Sequence, residues 1–316
     1  MGLRRLSASE IGQTGWVPGD SSSKFRFSLV IATLQDDGEL ECCLASMPAP
    51  ADGPDFEVVV VDQNGDGRLD DVVRRHAENL EIVHVRVDFR GLNRARNVGA
   101  RVARGEWLGF PDDDCQLFPD TLLALERLIA DPTVGVATGR TVDTSGASSV
   151  LRWRRQSCDF GRWTMFGCLT EAVFFVQRSV FMRAGGFDER FGPGAAFPAA
   201  EGIELMDRLF ALMENRRACY DPAIRMRHPQ KVPPWNRWAA ARFHAYAIGA
   251  GAVVAKRPSP HLIYWGARIV AGALARALFS RGWKRAAYAA RARGFFTGLL
   301  RGTRVFYFAE WRNCAR

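Results

Sequence analysis

The sequence predicts an α/β protein with a mostly parallel sheet flanked by helices, followed by a helical appendage. Three observations support this prediction: short apolar runs alternate with helical spacing, Asp residues follow the ends of two such runs, and the C-terminal part changes composition. Continuous apolar strands that alternate with helices indicate a parallel sheet covered on both faces. A chain of 316 residues with 47% hydrophobic content can bury a sizeable core.

The first three predicted strands are compact apolar runs, at Phe27–Ala32, Phe56–Asp62 and Ile82–Val85. Helical spacing follows the first two runs, and a loop followed by a helix is expected at Gly91–Ala100. Ligands of such sheets bind outside the carboxyl ends of the strands, so we expect the functional site there. No GxGxxG sequence follows a strand, which disfavours dinucleotide binding.

Charge is distributed unevenly along the chain. The formal net charge is +9, but 15 of the 43 Lys and Arg residues lie in Pro233–Arg316, which has the single acidic residue Glu310. The prolines at 233 and 234 mark the change. We therefore expect three parts: a flexible arm over residues 1–24, an α/β domain over 25–232 and a basic amphipathic helical region over 233–316.

The basic region suggests a membrane partner. Leu262–Phe279 is apolar enough to resemble a membrane span, but Arg268 and Arg276 interrupt it, and charges inside a bilayer cost free energy. An amphipathic helix on an anionic membrane surface costs less, and a packed helical subdomain is the alternative. Basic tails also bind nucleic acid, but the apolar content favours a membrane, and we expect no nucleic-acid partner.

The N-terminus and the cysteines indicate the compartment. No apolar stretch of the secretory type occurs in residues 1–24, and seven Cys without a CxxC pair fit reduced thiols better than a disulfide framework. We expect a cytoplasmic protein that is peripheral on the inner face of the cell membrane, without a zinc site.

Three consecutive carboxylates, Asp112–Asp114, end the apolar run Trp107–Phe110. Such a cluster persists only where a cation, protons or solvent offsets the repulsion between its charges. Mg²⁺ and Mn²⁺ prefer oxygen ligands and are often shared between carboxylates and phosphates. The cluster therefore predicts a metal–diphosphate site. The alternative is a solvated acidic turn that caps the helix beginning near Pro119.

Asp62 ends the second predicted strand and opens a segment that resembles a calcium-binding loop. Oxygen ligands occupy positions 1, 3 and 5, and Gly67 occupies position 6. However, position 12 is Val73, where a bidentate Glu is required, and a strand precedes the segment where a helix is required. We favour Asp62 as an acceptor of hydrogen bonds from a ligand.

Other polar residues are candidates for the same site. Arg96 suits bidentate contacts to phosphate. Glu201 and Glu204 lie one helical turn apart and could act as a general base, although a surface pair between Glu204 and Arg208 is the simpler interpretation. His228 follows a predicted strand; a lone His is more often structural, unless a metal site lies nearby.

Five segments, taken in this order, resemble glycosyltransferase family 2 with the GT-A fold. They are Ser28–Thr33, Phe56–Asp62, Gly91–Gly99, Ala103–Asp114 and Gly185–Glu189. The resemblance implies a nucleotide-sugar donor, Mg²⁺ or Mn²⁺, and inverting transfer to an acceptor hydroxyl. With the basic region, it suggests a glycan or lipid-linked acceptor in the assembly of a surface polysaccharide or glycolipid.

The resemblance also implies roles for single residues. Those roles are nucleotide contacts for Thr33, Asp62 and Arg96, a ribose or sugar contact for Asp112 in the DxD motif, and metal binding for Asp114. We place Asp113 with the donor-binding residues, and Asp112 and His228 with the metal ligands. Family members usually have a second acid at the position of Gln63 and their base at the position of Gly202. Glu201 or Glu204 would then replace the base, or the protein is a catalytically impaired nucleotide-sugar-binding partner of another transferase.

Overall fold

The structure, a computed structural model, describes residues 3–6, 25–34, 37–49, 53–229 and 235–308. The chain forms two compact units. The first comprises Met1–Phe187 and Leu205–Gln230, and the second comprises Asp188–Glu204 and Lys231–Arg316. The second break lies close to the boundary expected at residue 232. By contrast, Asp188–Glu204 groups with the C-terminal helices, whereas the sequence suggests that it belongs to the α/β domain.

The described part of the first unit is built on a 10-stranded sheet. The strands are β1 (Leu3–Leu6), β2 (Phe27–Thr33), β3 (Phe56–Asp62), β4 (Ile82–Arg86), β5 (Trp107–Gly109), β6 (Gln116–Leu117), β7 (Val134–Val142), β8 (Cys158–Phe160), β9 (Phe174–Gln177) and β10 (Arg217–Arg227). Their order is β1-β4-β3-β2-β5-β9-β7-β10-β6, and β8 pairs with β10. The pairs from β1 to β5 are parallel, and β9 runs antiparallel to β5 and β7. The predicted mostly parallel sheet is confirmed.

Helices flank the sheet and form the C-terminal region, as predicted. They are α1 (Asp37–Ala45), α2 (Asp70–His76), α3 (Leu92–Val102), α4 (Thr121–Ile129), α5 (Arg178–Arg183), α6 (Glu201–Leu212), α7 (Arg237–Lys256), α8 (Pro260–Leu278) and α9 (Gly282–Thr303). Short 3₁₀ segments occur at Met165–Gly167 and Glu171–Val173, and a π-helical turn at Arg304–Phe308 follows α9. Within the described residues, every helix is too short or too polar to span a bilayer.

The central strands are buried along their whole length. Every residue of β2 and of β3 is buried, because apolar side chains face the core on both sides of the sheet. Their parallel register pairs Thr33 with Asp62. The two strands therefore end at the same level, and their polar end residues lie side by side.

Three elements differ from the sequence predictions. Leu3–Leu6, within the predicted arm, pairs with β4 as an edge strand, and residues 7–24 of the arm lie outside the described residues. β10 runs through Pro222, where the register shifts and a bulge accommodates a residue without an N–H group. α3 begins at Leu92, because Gly91 adopts a φ of 137° that favours glycine. Arg96 therefore lies within the helix and not in a loop before it.

Candidate active site at the strand ends

The three Asp residues after β5 lie at the same edge of the sheet as the ends of β2 and β3. β5 pairs in parallel with β2, with Gly109 opposite Leu29, so the chain beyond β5 reaches the level of Thr33. Burial is the largest influence on Asp113 and raises its pKa to about 6; Asp112 and Asp114 add to the increase, and the Thr33 hydroxyl opposes it. Asp113 therefore faces the end of β2 in an environment that disfavours its charge.

Tight aromatic packing fixes the backbone before the three acids. A Cβ atom at Gly109 would meet the Phe175 ring at 2.5 Å, so this ring packs directly over the glycine, where a larger residue would clash. The Phe110 ring centroid lies 5.0 Å from those of Phe181 and Phe187. The three acids therefore follow a segment that is held rigidly by apolar packing.

A cluster of potential metal ligands forms at this edge of the sheet. Ligand atoms of Asp112, Asp114, Cys115 and His228 all lie within 4.8 Å of one another. His228 Nε2 is 3.6 Å from Asp114 Oδ1 and 3.8 Å from Asp112 Oδ2. The structure therefore brings together Asp112, Asp114 and His228, the three residues that the sequence suggests as metal ligands.

His228 presents its Nε2 atom to the two carboxylates. Its backbone N–H donates to Val142 O over 2.9 Å, which holds the residue at the end of β10. Its Nδ1 lies 2.9 Å from Pro229 O. A carbonyl oxygen only accepts, so Nδ1 carries the proton of this hydrogen bond, and in the neutral ring Nε2 has the free lone pair. This second contact orients the imidazole as a metal ligand requires.

Cys115 is the member of the cluster that sequence reasoning missed. Its backbone N–H donates to Asp112 O over 3.1 Å and closes the turn of the three acids. Burial, followed by the charge of Asp112, raises the pKa of the Cys115 thiol well above its ordinary value. A protonated thiol is a poor ligand for a hard cation, so two carboxylates and an imidazole form the effective donor set.

Arg96 supplies positive charge next to the acids. Its side chain is only 1% exposed, and its Nη2 donates to Asp112 Oδ1 over 2.7 Å. Its Nε and Nη1 are buried and have no hydrogen-bond partner among the described residues. Unpaired buried donors are rare and costly, and a planar guanidinium matches the oxygens of a phosphate. This part of the site fits an anionic ligand.

Asn97 has a structural role in holding α3. Its side chain donates to Phe187 O over 2.9 Å and accepts from Phe187 N over 2.8 Å. Arg208 in turn donates to the carbonyl oxygens of Ala184 and Gly186. The glycine-rich segment that contributes to the family resemblance therefore fixes the helix that carries Arg96.

Asp62 is fully buried, and its carboxylate accepts hydrogen bonds from within the protein. Oδ1 accepts from the backbone and side-chain nitrogens of Asn64, at 2.8 and 3.0 Å, and Oδ2 lies 3.2 Å from His84 Nε2. Asp66 accepts from Arg68, and β3 precedes the segment, so a calcium-loop geometry is not formed. A nucleotide contact by Asp62 stays a prediction.

Gln63, at the position where the family usually has an acid, connects the end of β2 with the residue before α3. Its side chain donates to Thr33 O at 3.4 Å and accepts from Gly91 N at 2.8 Å. The amide therefore ties the end of β2 to the start of α3. A carboxylate could accept from Gly91 but could not donate to Thr33.

The candidate bases belong to the second unit and are buried, not on the surface. Glu201 is 8% exposed and Glu204 is 1% exposed, so Glu204 does not lie on the surface, as the simpler interpretation of this residue requires. Lys256 Nζ contacts the Glu204 carboxylate and lies 2.7 Å from Asp188 Oδ2. Burial tends to raise the pKa of Asp188, but hydrogen bonds from Arg190 and Lys256 outweigh it and lower that pKa. Sequence reasoning missed Lys256, because no local pattern connects it with α6.

Comparison with known sequences gives a family and two partial relatives. The sequence model of the family described as Glycosyl transferase family 2 matches residues 28–191. "Uncharacterized protein MT1568" of Mycobacterium tuberculosis (strain CDC 1551 / Oshkosh) is 34% identical over 151 residues, 44% of this chain and 45% of that protein. Validoxylamine A glucosyltransferase of Streptomyces hygroscopicus subsp. limoneus is 36% identical over 99 residues, 30% of this chain and 22% of that enzyme. The chain thus spans less than half the length of either relative.

Solved structures with a similar fold include a mannosyltransferase and a protein bound to UDP-GlcNAc. Mannosyltransferase PcManGT from Pyrobaculum calidifontis, in complex with GDP-Man and Mn²⁺, aligns with a TM-score of 0.58 and 21% identity, covering 97% of this chain and 86% of that one. S. aureus TarS 1-349, in complex with UDP-GlcNAc, aligns with a TM-score of 0.55 and 14% identity, covering 90% and 93%. At these identities the likeness concerns the fold alone, and it confirms the GT-A architecture. Because the family match covers just over half of the 316 residues, the chain belongs to glycosyl transferase family 2.

Proposed function

We propose that this protein is a metal-dependent, inverting glycosyltransferase that moves a sugar from a nucleotide-sugar donor to an acceptor hydroxyl. The observation that supports this most strongly is the position of Arg96, whose unpaired buried N–H groups adjoin the cluster of Asp112, Asp114 and His228. A cation site beside an anion site is what a metal–diphosphate needs. The nucleotide sugars bound by PcManGT and TarS support the same donor class.

Each residue of the cluster has a defined part in this proposal. Asp114, Asp112 and His228 would hold Mg²⁺ or Mn²⁺, since their oxygen and nitrogen atoms are suitable donors and Cys115 stays protonated. A bound cation would neutralise the diphosphate and stabilise it as a leaving group. Arg96 would donate its unpaired N–H groups to a phosphate oxygen.

Thr33, Asp62 and Asp113 would line the nucleotide side of the donor site. Thr33 and Asp62 end neighbouring parallel strands, and Asp113 lies close enough to Thr33 for its hydroxyl to influence the pKa of Asp113. Ligands of parallel sheets bind beyond such strand ends. The position of these residues supports donor binding, while the direct contacts are part of the proposal.

Glu201 is the base that we assign in the proposed transfer. The Glu204 carboxylate is already engaged by the Lys256 ammonium group, which favours Glu201 for this role. Glu201 would accept the proton of the acceptor hydroxyl, and Glu204 is the second candidate. Inversion at the sugar carbon is what the family resemblance implies.

A catalytically impaired nucleotide-sugar-binding partner of another transferase is the second candidate function. Gly202 at the usual base position and the engagement of Glu204 by Lys256 favour it. Donor binding without turnover towards any acceptor would support this alternative against the enzyme.

A panel of GDP- and UDP-linked sugars tests the proposal directly. The full chain is incubated with each donor, with and without Mn²⁺, and both donor binding and nucleotide release are measured. We expect metal-dependent binding of at least one donor and slow hydrolysis or transfer. Loss of turnover in Glu201→Gln with retained donor binding would support the base assignment. Absence of binding to every donor in both conditions would contradict the proposal.

We also propose that the protein works at the cytoplasmic face of a membrane, as a peripheral protein, in the assembly of a surface polysaccharide or glycolipid. Its acceptor would be a glycan or a lipid-linked sugar. The basic composition of α7, α8 and α9 supports an anionic membrane surface as partner. Flotation with anionic and with neutral vesicles tests it: retention on anionic vesicles alone is expected, and equal flotation on both, or on neither, contradicts it.

A further inference from the structure

The second unit contains an open apolar groove formed by α7, α8, α9 and the turn after α9. Its volume is about 700 Å³, within the range of ligand sites in proteins. Each helix contributes apolar side chains, including Val254 from α7, Ile263 and Leu274 from α8, and Phe296 and Leu299 from α9. None of the described residues that line it is charged.

The groove offers few polar groups to a ligand. Among its described lining residues, only Thr303 and Tyr307 have a polar side-chain atom. The Thr303 hydroxyl already donates to Leu299 O over 2.9 Å. A polar ligand would lose its hydrogen bonds to water without replacement, whereas a hydrocarbon chain would lose only its contact with water. The interior of the groove is therefore suited to an aliphatic chain.

The helices around the groove are uniformly basic. Residues 235–308 contain 13 Lys and Arg and no Asp or Glu. Arg268 and Arg276 are exposed on α8, the helix that contributes Ile263 and Leu274 to the groove. Such a surface attracts an anionic head group and repels a second copy of itself. The charge therefore favours an anionic amphiphile over a homodimer contact.

Large apolar side chains extend the apolar surface at the end of α8. Leu278 is 74% exposed and Phe279 is 87% exposed, and Trp283 at the start of α9 is also exposed. Helices that lie in a membrane interface combine exposed aliphatic and aromatic residues with Lys and Arg in this manner. Leu278 lies four residues after Leu274, which lines the groove, and so extends the same face of α8.

We infer that this groove binds the hydrocarbon chain of an anionic lipid, whose head group is held by the surrounding Arg and Lys side chains. The inference rests on the proposed membrane association and adds to it a defined site for one chain. Binding there requires no sugar transfer, so the site can be tested without a donor or an acceptor.

Two Trp substitutions on one helix test the groove. Ala271 lines the groove, and Ala275 is exposed on the same helix outside it. With a fluorescent hexadecyl phosphate as probe, we expect saturable binding of one probe per chain to the wild type and to Ala275→Trp. Ala271→Trp fills the groove and should weaken binding by about tenfold or more. Ala267→Trp, on another lining residue, serves if Ala271→Trp does not fold.

Three further measurements separate the possible outcomes. An uncharged hexadecyl probe should bind at least about tenfold more weakly, because it lacks the head-group attraction. Equal binding of the phosphate probe to Ala271→Trp and the wild type, or of both probes to the wild type, would overturn the inference. If flotation on anionic vesicles persists without probe binding, the groove assignment is wrong while membrane association stands. If flotation also fails, both are wrong. A change in oligomeric state on Ala271→Trp, without an effect on the probe, would assign the groove to a second copy instead.

Discussion

Two partly buried clusters of carboxylates, one in each compact unit, differ in how their charge is balanced. In the first unit, Arg96 contacts Asp112, and His228 Nε2 faces Asp112 and Asp114 at 3.8 and 3.6 Å, beyond hydrogen-bond distance. In the second unit, Lys256 bridges the carboxylates of Asp188 and Glu204. The first cluster combines potential metal ligands with the unpaired N–H groups of Arg96, whereas Lys256 and Arg190 balance the charge of the second.

This difference suggests that the first cluster binds a ligand and that the second contributes to folding stability. A cluster whose charge is balanced within the protein is complete without a ligand and contributes to stability. A cluster that places a ligating nitrogen against two carboxylates, beside unpaired N–H groups of Arg96, is completed by a cation and an anion together. Removal of one residue should therefore affect ligand binding in the first cluster and folding stability in the second.

The largest expected effect is loss of transfer in Asp114→Ala. This change removes the carboxylate that we assign as the principal metal ligand and should lower turnover by more than about a hundredfold, with little change in unfolding. Initial rates with saturating donor and Mn²⁺ measure it. Asp143→Asn, at an exposed turn, is the control and should retain activity. Equal rates for Asp114→Ala and the control would contradict the assignment of the first cluster as the ligand-binding one.

Lys256→Met should mainly reduce stability. It removes the cation that Asp188 and Glu204 share, and loss of one partner from a buried ion pair costs about 3 kcal/mol in the free energy of unfolding. Urea unfolding measures the loss. Lys256→Arg keeps the charge and should restore most of the stability. Wild-type stability in Lys256→Met would show that the second cluster is not balanced by this lysine.

Gly99→Ala tests whether the close packing of α3 on the sheet holds Arg96 in place. A side chain at residue 99 would lie 2.4 Å from Val30 Cγ1, so α3 must move away from the sheet at a cost of about 2 kcal/mol. Gly272→Ala is the matched control, since the added methyl group meets only the flexible end of Arg276; it should stabilise α8 by about 0.5–1 kcal/mol. Thermal unfolding distinguishes the two. An equal change in both variants would contradict the close approach of α3.

The smallest effect is a pH dependence carried by Asp188. Hydrogen bonds from Arg190 and Lys256 outweigh burial and lower the pKa of Asp188 below its unfolded value of about 3.9. A lowered pKa contributes stability above the unfolded pKa, and this stability is lost as the pH falls through the folded value. The difference in unfolding free energy between the wild type and Asp188→Asn should therefore be constant from pH 7 to about 5 and shrink below about 4. A difference that grows on acidification would contradict this sign.

Much of the sheet could be predicted from the sequence, because its central strands are continuous apolar runs. β3 has the predicted bounds, and β2 and β4 each differ from the prediction by one residue. The start of β10 could not be predicted, since Pro222 indicates a strand boundary and only the bulge, a tertiary feature, allows the strand to run through it. β1 was missed because four residues give too weak a pattern, and pairing with β4 decides their conformation.

The candidate site was predictable where its residues follow strands. Asp112 and Asp114 form a local pattern, and His228 follows β10, so the sequence suggests the three residues that the structure brings together, while metal binding by them stays a prediction. Lys256 and Cys115 were missed for different reasons. The lysine meets Glu204 across 52 residues, through packing that no local period encodes. The thiol adjoins Asp114 in sequence but takes its structural role from burial.

Counting bound Mn²⁺ by electron paramagnetic resonance, in the presence of GDP or UDP, tests the central claim most directly. The wild type and Lys256→Arg should each bind one Mn²⁺ per chain, and Asp112→Asn and Asp114→Asn should bind it at least about tenfold more weakly. Nucleotide should strengthen Mn²⁺ binding in the wild type, because the phosphate completes the site beside Arg96. Wild-type Mn²⁺ affinity in Asp114→Asn, or no specific Mn²⁺ binding in the wild type, would contradict the assignment of this cluster as a metal–diphosphate site.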